Sequence, residues 1–299
     1  MKWKVTLNFP LDWKLKLAFN LLPQRPTPAM ISGGKWFRAF RLKGKLIPVI
    51  VEGLEEKGRP VIVFTTPRVD SQLKREITRM VFRLHGLADP SSLHRFMAGD
   101  QVLRRILRSL RGFARAGLMA AEPFEGLVKA VIQQQIAFRV AEHLTANLVE
   151  RFGRHVCFQG LKVYGFPTPE RLAEASIGQL KECGLSSRKA EYIREIAVKT
   201  VKGEIDLQSL QGKSVNEVME VLTSLKGVGR WTAELFMATI LGFNVVPADD
   251  LGVRRAASKY FFGGKLQPAE AVRRFLRERF GDYQRDVTVY LLMAYRLNL

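Results

Sequence analysis

Two glycines separated by one apolar residue, Gly227-Val228-Gly229, lie between segments with the apolar spacing of amphipathic helices, Val215–Leu225 and Trp231–Leu241. Glycine adopts backbone angles that other residues avoid, so the pair favours a tight hairpin. It also leaves amide N–H groups bare at the start of the second helix, where the helix dipole attracts an anion. The segment near 215–241 therefore predicts a helix-hairpin-helix motif that binds phosphate through its backbone.

Two adjacent aspartates, Asp249 and Asp250, follow the second of these helices. They precede another predicted helix, Leu251–Tyr260, and an aspartate at this place ordinarily caps the first turn. A helix N-terminus also keeps a carboxylate ionised and directed outward, which suits a catalytic anion. Capping and catalysis are compatible, so the sequence offers two candidates for either role.

The charge of the chain indicates a polyanionic partner. Its 299 residues include 48 Lys and Arg against 28 Asp and Glu, a formal net charge of +20. A domain this basic repels itself, and that cost is usually tolerated where the partner is nucleic acid. A thermophile surface is the alternative interpretation, but such surfaces normally add glutamate in proportion.

Length and composition exclude several classes of protein. A hydrophobic content of 47% is enough for a buried core, which excludes global disorder. No apolar run approaches the roughly 20 residues of a membrane span, and Met1–Asp12 lacks the apolar stretch of a signal peptide. The two cysteines, Cys157 and Cys183, cannot build a disulfide framework. We therefore expect a cytoplasmic protein that is not secreted, membrane-spanning or collagen-like.

The chain changes character near residue 88. Before this point, alternating or apolar runs between glycine turns predict short strands, which are Lys2–Leu7, Lys35–Leu42, Lys45–Glu52 and Pro60–Phe64. A helical spacing follows over Gln72–Leu84, and from Asp89 the spacing is helical throughout, including one long segment over Phe124–Phe152. These patterns predict an α+β domain over 1–88 and a mainly α-helical domain over 89–299.

The hairpin, the spacer after it and the run from Pro247 to Asp250 form a signature that resembles a known family. It is similar to the helix-hairpin-helix/Gly-Pro-Asp superfamily of base-excision DNA glycosylases. Four further stretches resemble its AlkA-type branch, 3-methyladenine DNA glycosylase II, and these are Ala130–Ala137, Phe166–Glu170, Gly184–Ala190 and Gly229–Ala233. The resemblance implies a TATA-binding-protein-like N-terminal domain. It also implies a helical core of two subdomains, one from 89–118 with 245–299 and the other from 119–244.

The resemblance also implies a reaction and the groups that perform it. Asp250 matches the family's catalytic carboxylate, with Asp249 as the alternative or as a local cap. Members that also cut the DNA backbone carry a lysine at the position of Trp231, so water is the expected nucleophile here. The expected activity is that of a monofunctional glycosylase, which hydrolyses the N-glycosidic bond of alkylated purines of the 3-methyladenine and 7-methylguanine class.

The same resemblance assigns residues to DNA and to the target base. The DNA-binding candidates come from the hairpin and the glutamine segment, and they are Gly227, Val228, Gly229, Arg230, Thr232, Gln133, Gln134 and Gln135. Gln135 best matches the side chain that fills the space of a flipped base. Aromatic residues select electron-poor bases by cation–π attraction, and the candidates are Trp231, Phe138, Tyr283 and Tyr290.

The expected partner is double-stranded DNA with damaged bases, bound by a monomer in the cytoplasm at the nucleoid. The four histidines (His85, His94, His143 and His155) lack metal-ligand spacing, so neither a metal nor a cofactor is expected. Hairpins of this type can nevertheless hold one monovalent cation through backbone carbonyls. Two alternatives remain, namely a glycosylase for deaminated or oxidised purines and a non-catalytic DNA-binding protein that uses the hairpin as a phosphate clamp.

Overall fold

The N-terminal domain is built on one antiparallel sheet. The computed structural model describes residues 1–18, 22 and 24–299. The strands and helices of this domain are β1 (Lys2–Thr6), α1 (Trp13–Leu17), β2 (Met30–Ser32), β3 (Lys35–Leu42), β4 (Lys45–Glu56), β5 (Arg59–Thr65) and α2 (Ser71–His85). The strand order is β1-β5-β4-β3-β2. The predicted α+β class is confirmed.

Side-chain alternation gives this sheet two buried faces. Trp36 and Phe40 of β3 belong to the hydrophobic cluster that also contains Ile77 and Val81 of α2. The intervening residues of β3 point to the opposite face, because successive side chains of a strand alternate. Asp70 caps α2 by accepting the backbone N–H of Leu73 at 2.7 Å. The sheet therefore rests on α2 through one face and can pack against the second domain through the other.

The second domain contains fourteen further elements among its described residues. They are α3 (Ser91–Gly99), α4 (Gln101–Ser109), α5 (Pro123–Gln133), α6 (Phe138–Phe152), β6 (His155–Phe158), β7 (Leu161–Tyr164), α7 (Pro169–Glu174), α8 (Ile177–Lys181), α9 (Ser187–Val201), α10 (Val215–Thr223), α11 (Arg230–Phe236), α12 (Leu251–Phe261), α13 (Ala269–Phe280) and α14 (Gln284–Arg296). A π-helical turn over Met237–Leu241 continues α11. None of the helices in the described part of the chain is long and apolar enough to cross a membrane.

A short hairpin, β6–β7, interrupts the helices, so the expectation of a helical pattern throughout from Asp89 is wrong at this point. Val163 of β7 packs with Phe37 and Ile50 on the second face of the N-terminal sheet. Two four-residue strands carry little periodic signal of their own. Their conformation depends on covering that sheet face, which is a contact between distant parts of the chain.

The helices bury two separate hydrophobic clusters. The first cluster, which we call the hairpin cluster, is formed by buried residues between Ala120 and Leu241. The second, the terminal cluster, combines residues between Leu93 and Phe113 with residues between Val246 and Ala294. The space between them is where a cleft can form.

The long apolar segment predicted over Phe124–Phe152 is divided into α5 and α6. The residues between the two helices, 134–137, form a turn that contains Gln135 with a positive φ of 56°. Only a few per cent of residues other than glycine have a positive φ, and such strain concentrates at functional sites. We call residues 133–137 the glutamine turn.

Candidate active site

A cleft of about 1300 Å³ is lined by residues of both clusters. One face of α14 lines it over the length of the helix, through Arg285, Thr288, Val289, Leu292, Tyr295 and Arg296. At the Arg296 end, Gln135 and Gly229 also line the cleft and are exposed to solvent. We call this end the mouth. At the other end Arg285 is held by the carbonyl oxygens of Ala238 and Gly117, at 2.6 and 2.8 Å.

Asp250 lies at the N-terminus of α12 and faces the cleft. Its Oδ1 accepts the backbone N–H of Val253 at 3.1 Å, which caps the helix as the sequence predicted. No ion pair among the described residues involves this carboxylate. Burial lowers the pKa of Arg296, and the negative charge of Asp250 opposes that shift. Asp250 is therefore a half-buried anion with one cation nearby at the mouth.

Asp249 also lines the cleft but is engaged elsewhere. Its Oδ2 accepts a hydrogen bond from the Arg273 guanidinium at 2.7 Å. The same guanidinium pairs with Glu234 at 2.8 Å and with Glu270 at 2.5 Å. The Asp249 carboxylate thus belongs to a surface ion-pair network, while that of Asp250 is directed at the cleft.

The two hairpin glycines differ in conformation. Gly227 has a φ of +82°, and a Cβ at this position would lie 2.2 Å from the ring of Tyr192. Gly229 has a φ of −92° and a ψ of −179°, which any residue adopts, and its Cβ would meet open space. The expectation that both need unusual backbone angles is therefore wrong for Gly229. This glycine is the exposed N-cap of α11, and Arg230 and Trp231 follow it as an exposed and a half-buried residue. Their backbone amides, which lack partners within the helix, are therefore the ones that can meet a phosphate.

Three of the predicted DNA contacts in the hairpin need correction. The side chain of Val228 is buried in the hairpin cluster, so this residue can meet a phosphate only through its backbone. Thr232 is 2% exposed and its hydroxyl accepts an amide hydrogen bond, so it cannot contact DNA. Arg230 is exposed but is tied to Glu234 and Glu270, each at 3.1 Å.

The three glutamines have different positions. Gln133 ends α5 and lines the cleft. The Nε2 of Gln134 donates to the Gly227 carbonyl at 2.7 Å and to the Thr232 hydroxyl at 2.9 Å, which joins the glutamine turn to the hairpin. Gln135 is exposed at the tip of the turn. Of the three, Gln135 has the placement that a residue inserted into a duplex requires.

A lysine on α9 completes the attachment of the glutamine turn. The Nζ of Lys189 donates to the carbonyl oxygens of Ile132 and Gln134, both at 2.8 Å. Burial lowers the pKa of Lys189. These are charge-assisted hydrogen bonds to the end of α5, where the helix dipole is negative. The glutamine turn, the hairpin and α9 are thereby connected by hydrogen bonds.

We expect Lys189→Met to lower the free energy of unfolding by about 1.5–3 kcal/mol, the usual worth of a hydrogen bond to a charged group. It should also speed amide hydrogen exchange in residues 134–137, which chemical denaturation and exchange mass spectrometry would measure. Lys181→Met is the matched control, because Lys181 is exposed at the end of α8. Equal stabilities of the two variants would contradict a positioning role for Lys189.

Two of the four aromatic residues predicted for the base pocket line the cleft, and two do not. Trp231 and Phe138 line the cleft, and the Arg296 guanidinium lies 5.1 Å from the Phe138 ring centroid. Tyr283 instead packs on Phe96, with ring centroids 4.8 Å apart. Tyr290 is fully buried and donates its hydroxyl to the Ala114 carbonyl at 2.6 Å. Both tyrosines support the terminal cluster, so their assignment to the pocket is wrong.

Tyr295 is the aromatic residue of α14 that does line the cleft. The helical spacing of Asp286–Leu297 contained the signal, because Tyr290 and Tyr295 are separated by about 140° around a helix. If Tyr290 faces the core, Tyr295 must face another direction.

No group of three or more His, Cys, Asp and Glu side chains in the described part of the chain is arranged to hold a metal ion. In the hairpin, the Leu225 carbonyl accepts the Val228 N–H at 3.0 Å and the Gly227 carbonyl accepts Gln134. A monovalent cation at this hairpin stays a prediction.

Comparison with known proteins agrees with this architecture. Residues 128–281 match the HhH-GPD superfamily of base excision DNA repair proteins, and residues 2–77 match an AfAlkA-like, TATA-box binding protein-like domain. A 3-methyladenine DNA glycosylase from Archaeoglobus fulgidus is 45% identical, with a TM-score of 0.93 over 99% of each chain.

Two similar proteins come from Schizosaccharomyces pombe. An alkylbase DNA glycosidase-like protein is 32% identical over 49% of this chain and 65% of its own length. A DNA-3-methyladenine glycosylase 1 is 35% identical over 44% of this chain and 55% of its own length. The chain thus spans less than two thirds of either relative. On the family match and the shared fold, the protein belongs to the HhH-GPD superfamily of base excision DNA repair proteins.

Proposed function

We propose that the protein is a monofunctional DNA glycosylase that removes alkylated purines from duplex DNA. The observation that carries the proposal is the Asp250 carboxylate, which faces the cleft without an ion pair among the described residues. The glutamine turn and the hairpin flank it at the mouth. The names of the relatives, which include alkylbase and 3-methyladenine glycosylases, support the substrate class.

In the proposed mechanism the target nucleotide leaves the duplex and its base enters the cleft. The exposed amides of the hairpin hold a phosphate of the backbone, and Gln135 occupies the space left in the stack. Trp231, Phe138 and Tyr295 line this cleft, so their rings are available to contact a base that carries positive charge after alkylation. Selectivity follows because a neutral base gains less from these faces.

The alkylated base is already a good leaving group, so the carboxylate acts mainly on the sugar. Asp250 stabilises the positive charge that develops on the deoxyribose and orients or deprotonates the attacking water. The bond from the sugar to the base nitrogen breaks, and the water oxygen takes its place. The reaction as proposed requires no cofactor.

The lysines around the cleft support water as the nucleophile. Three lysines line the described part of the cleft, and each ammonium donates to backbone carbonyl oxygens. Lys16 bonds to Arg115 at 2.7 Å, Lys129 to Thr27 and Met119 at 3.0 and 3.1 Å, and Lys189 to the end of α5. At the position where bifunctional members carry a lysine, this chain has Trp231. A Schiff-base mechanism would have to break one of these attachments first.

We expect release of 3-methyladenine and 7-methylguanine from methylated duplex DNA, with no strand cleavage until alkali is added. Chromatography of free bases beside denaturing electrophoresis would measure both, with hypoxanthine-containing duplex as a second substrate. Cleavage without alkali, or covalent trapping by borohydride, would contradict the water mechanism. It would point to Lys16, because burial lowers the pKa of that amine to about 7. Tight binding without release of any base would favour the binding-protein alternative.

A further inference from the structure

A second groove, of about 710 Å³, lies between the N-terminal domain and the helical core. Seven of its described lining residues are basic and none is acidic, and these cations are Lys4, Lys74, Arg75, Arg79, Arg83, Arg115 and Arg285. A groove lined by charge of one sign concentrates counter-ions of the other sign. Lys4 pairs with Glu56, and Arg115 and Arg285 pair with Asp286, whereas the other four cations have no carboxylate partner among the described residues. The groove therefore attracts anions through these four cations, and the proposed reaction does not use it.

Three of these cations form a row on α2. Arg75, Arg79 and Arg83 are four residues apart, so they project from the same face of the helix at intervals of about 6 Å. All three are exposed, and none forms an ion pair with another described residue. Like charges at this spacing destabilise a helix. Repulsion within the row therefore costs folding stability, although Arg83, in the last turn, gains from the helix dipole.

Some arginines elsewhere in the described part of the chain are paired, whereas others, such as Arg105 and Arg108, are exposed and form no ion pair with a described residue. Arg230 and Arg273 bind Glu234 and Glu270, and Arg25 binds Glu150. Glu76, the one acidic residue of α2, neither lines the groove nor pairs with the row. A surface adapted only for heat resistance would pair such charges. What distinguishes the row is its place: the three arginines line one groove that has no acidic residue in its described lining, which suits binding to an external polyanion.

The groove and the mouth of the cleft lie at opposite ends of α14. Arg285, in the first turn of that helix, lines the groove, whereas Arg296 ends the helix at the mouth. Eleven residues of α-helix separate them, which is about 16 Å. Arg285 and Leu118 line both cavities, so the groove begins where the inner end of the cleft stops. The groove and the mouth are therefore distinct sites at the two ends of α14.

From these observations we infer that the groove binds the phosphate backbone of a second DNA segment, so that one protein molecule holds two duplexes. The inference rests on the proposed function only in naming DNA as the polyanion. Binding is expected to be independent of base sequence and damage, because the groove offers charges for phosphates. Two duplex sites on one chain would let the protein pass between DNA segments without dissociating fully.

The test is a bridging assay with undamaged DNA. An immobilised short duplex is loaded with protein, and capture of a second, fluorescent duplex is then measured over a range of salt. The row variant is Arg75→Ala with Arg79→Ala and Arg83→Ala. The matched control is Arg105→Ala with Arg108→Ala and Arg111→Ala, which removes three exposed arginines that line neither cavity.

We expect wild type and the control to capture the second duplex, and the row variant to capture it about 10- to 100-fold less tightly at physiological salt. The slope of log K against log salt should fall by about 2 to 3 for the row variant. Its thermal midpoint should not decrease, since like-charge repulsion is removed, and base release from a single short duplex should be unchanged.

Undiminished bridging by the row variant, an equal loss in the control, or absence of bridging by wild type would each overturn the inference. Because the bridging assay uses undamaged DNA, it reports on the groove even if no base is released. A failure of the proposed glycosylase activity and a failure of the second site are therefore distinguishable.

Discussion

Asp250→Asn should reduce the rate of base release by about 10²- to 10⁴-fold while leaving the fold intact. The amide oxygen of asparagine can still accept the Val253 N–H, and asparagine caps helices as well as aspartate does. What the variant lacks is the negative charge that stabilises the developing sugar cation and activates water. Single-turnover release of 3-methyladenine would measure the rate.

The affinity of this variant for damaged duplex should equal or exceed that of wild type, because an anion facing a polyanion has been removed. Asp249→Asn is the matched control, and we expect it to retain most of the rate because its carboxylate pairs with Arg273. A rate lost in Asp249→Asn and kept in Asp250→Asn would reverse the assignment. Weaker binding together with full base release by Asp250→Asn would remove it from the mechanism.

Gly227→Ala should lower the free energy of unfolding by about 2–5 kcal/mol. An alanine here is strained at a φ of +82°, and its Cβ would lie 2.2 Å from the Tyr192 ring. Gly229→Ala should cost less than about 1 kcal/mol, because its backbone is ordinary and the space is open. Each variant differs from wild type by one methyl group, and urea denaturation would measure the free energy of unfolding of both.

The two glycines should also separate stability from DNA binding. Gly229→Ala places its methyl group beside the exposed amides of α11, so affinity for any duplex should fall although the fold is kept. Adding Tyr192→Leu to Gly227→Ala should restore the part of the unfolding free energy that is lost to the clash with the Tyr192 ring. The part lost to backbone strain should remain. Equal unfolding energies for the two single variants would show that the hairpin does not require glycine at residue 227.

Local patterns in the sequence determined the structural class of each domain and identified the hairpin glycines and the aspartates of the candidate site. Alternating and apolar runs predicted β1, β3, β4 and β5 of the N-terminal sheet but not β2, and helical spacing predicted α2, α10, α11 and α12. The glycines predicted the hairpin, and the aspartates predicted the cap at Asp250. Such features are set by interactions within a few residues, so they can be recognised without knowledge of distant contacts. The same motifs carried the resemblance to the superfamily.

Only the tertiary structure decided which side chains near the predicted site face the cleft. Asp249 and Asp250 are neighbours in sequence, yet Arg273, twenty-four residues from Asp249, engages only one of them. Tyr290 and Tyr295 are the same residue type on the same helix. Packing around α14 places Tyr290 in the core and Tyr295 in the cleft. The attachment of Gln134 to the hairpin and the strand conformation of β6 and β7 also depend on residues far away in the chain. These outcomes are not encoded locally, because a side chain's direction is set by the partners that the whole fold brings to it.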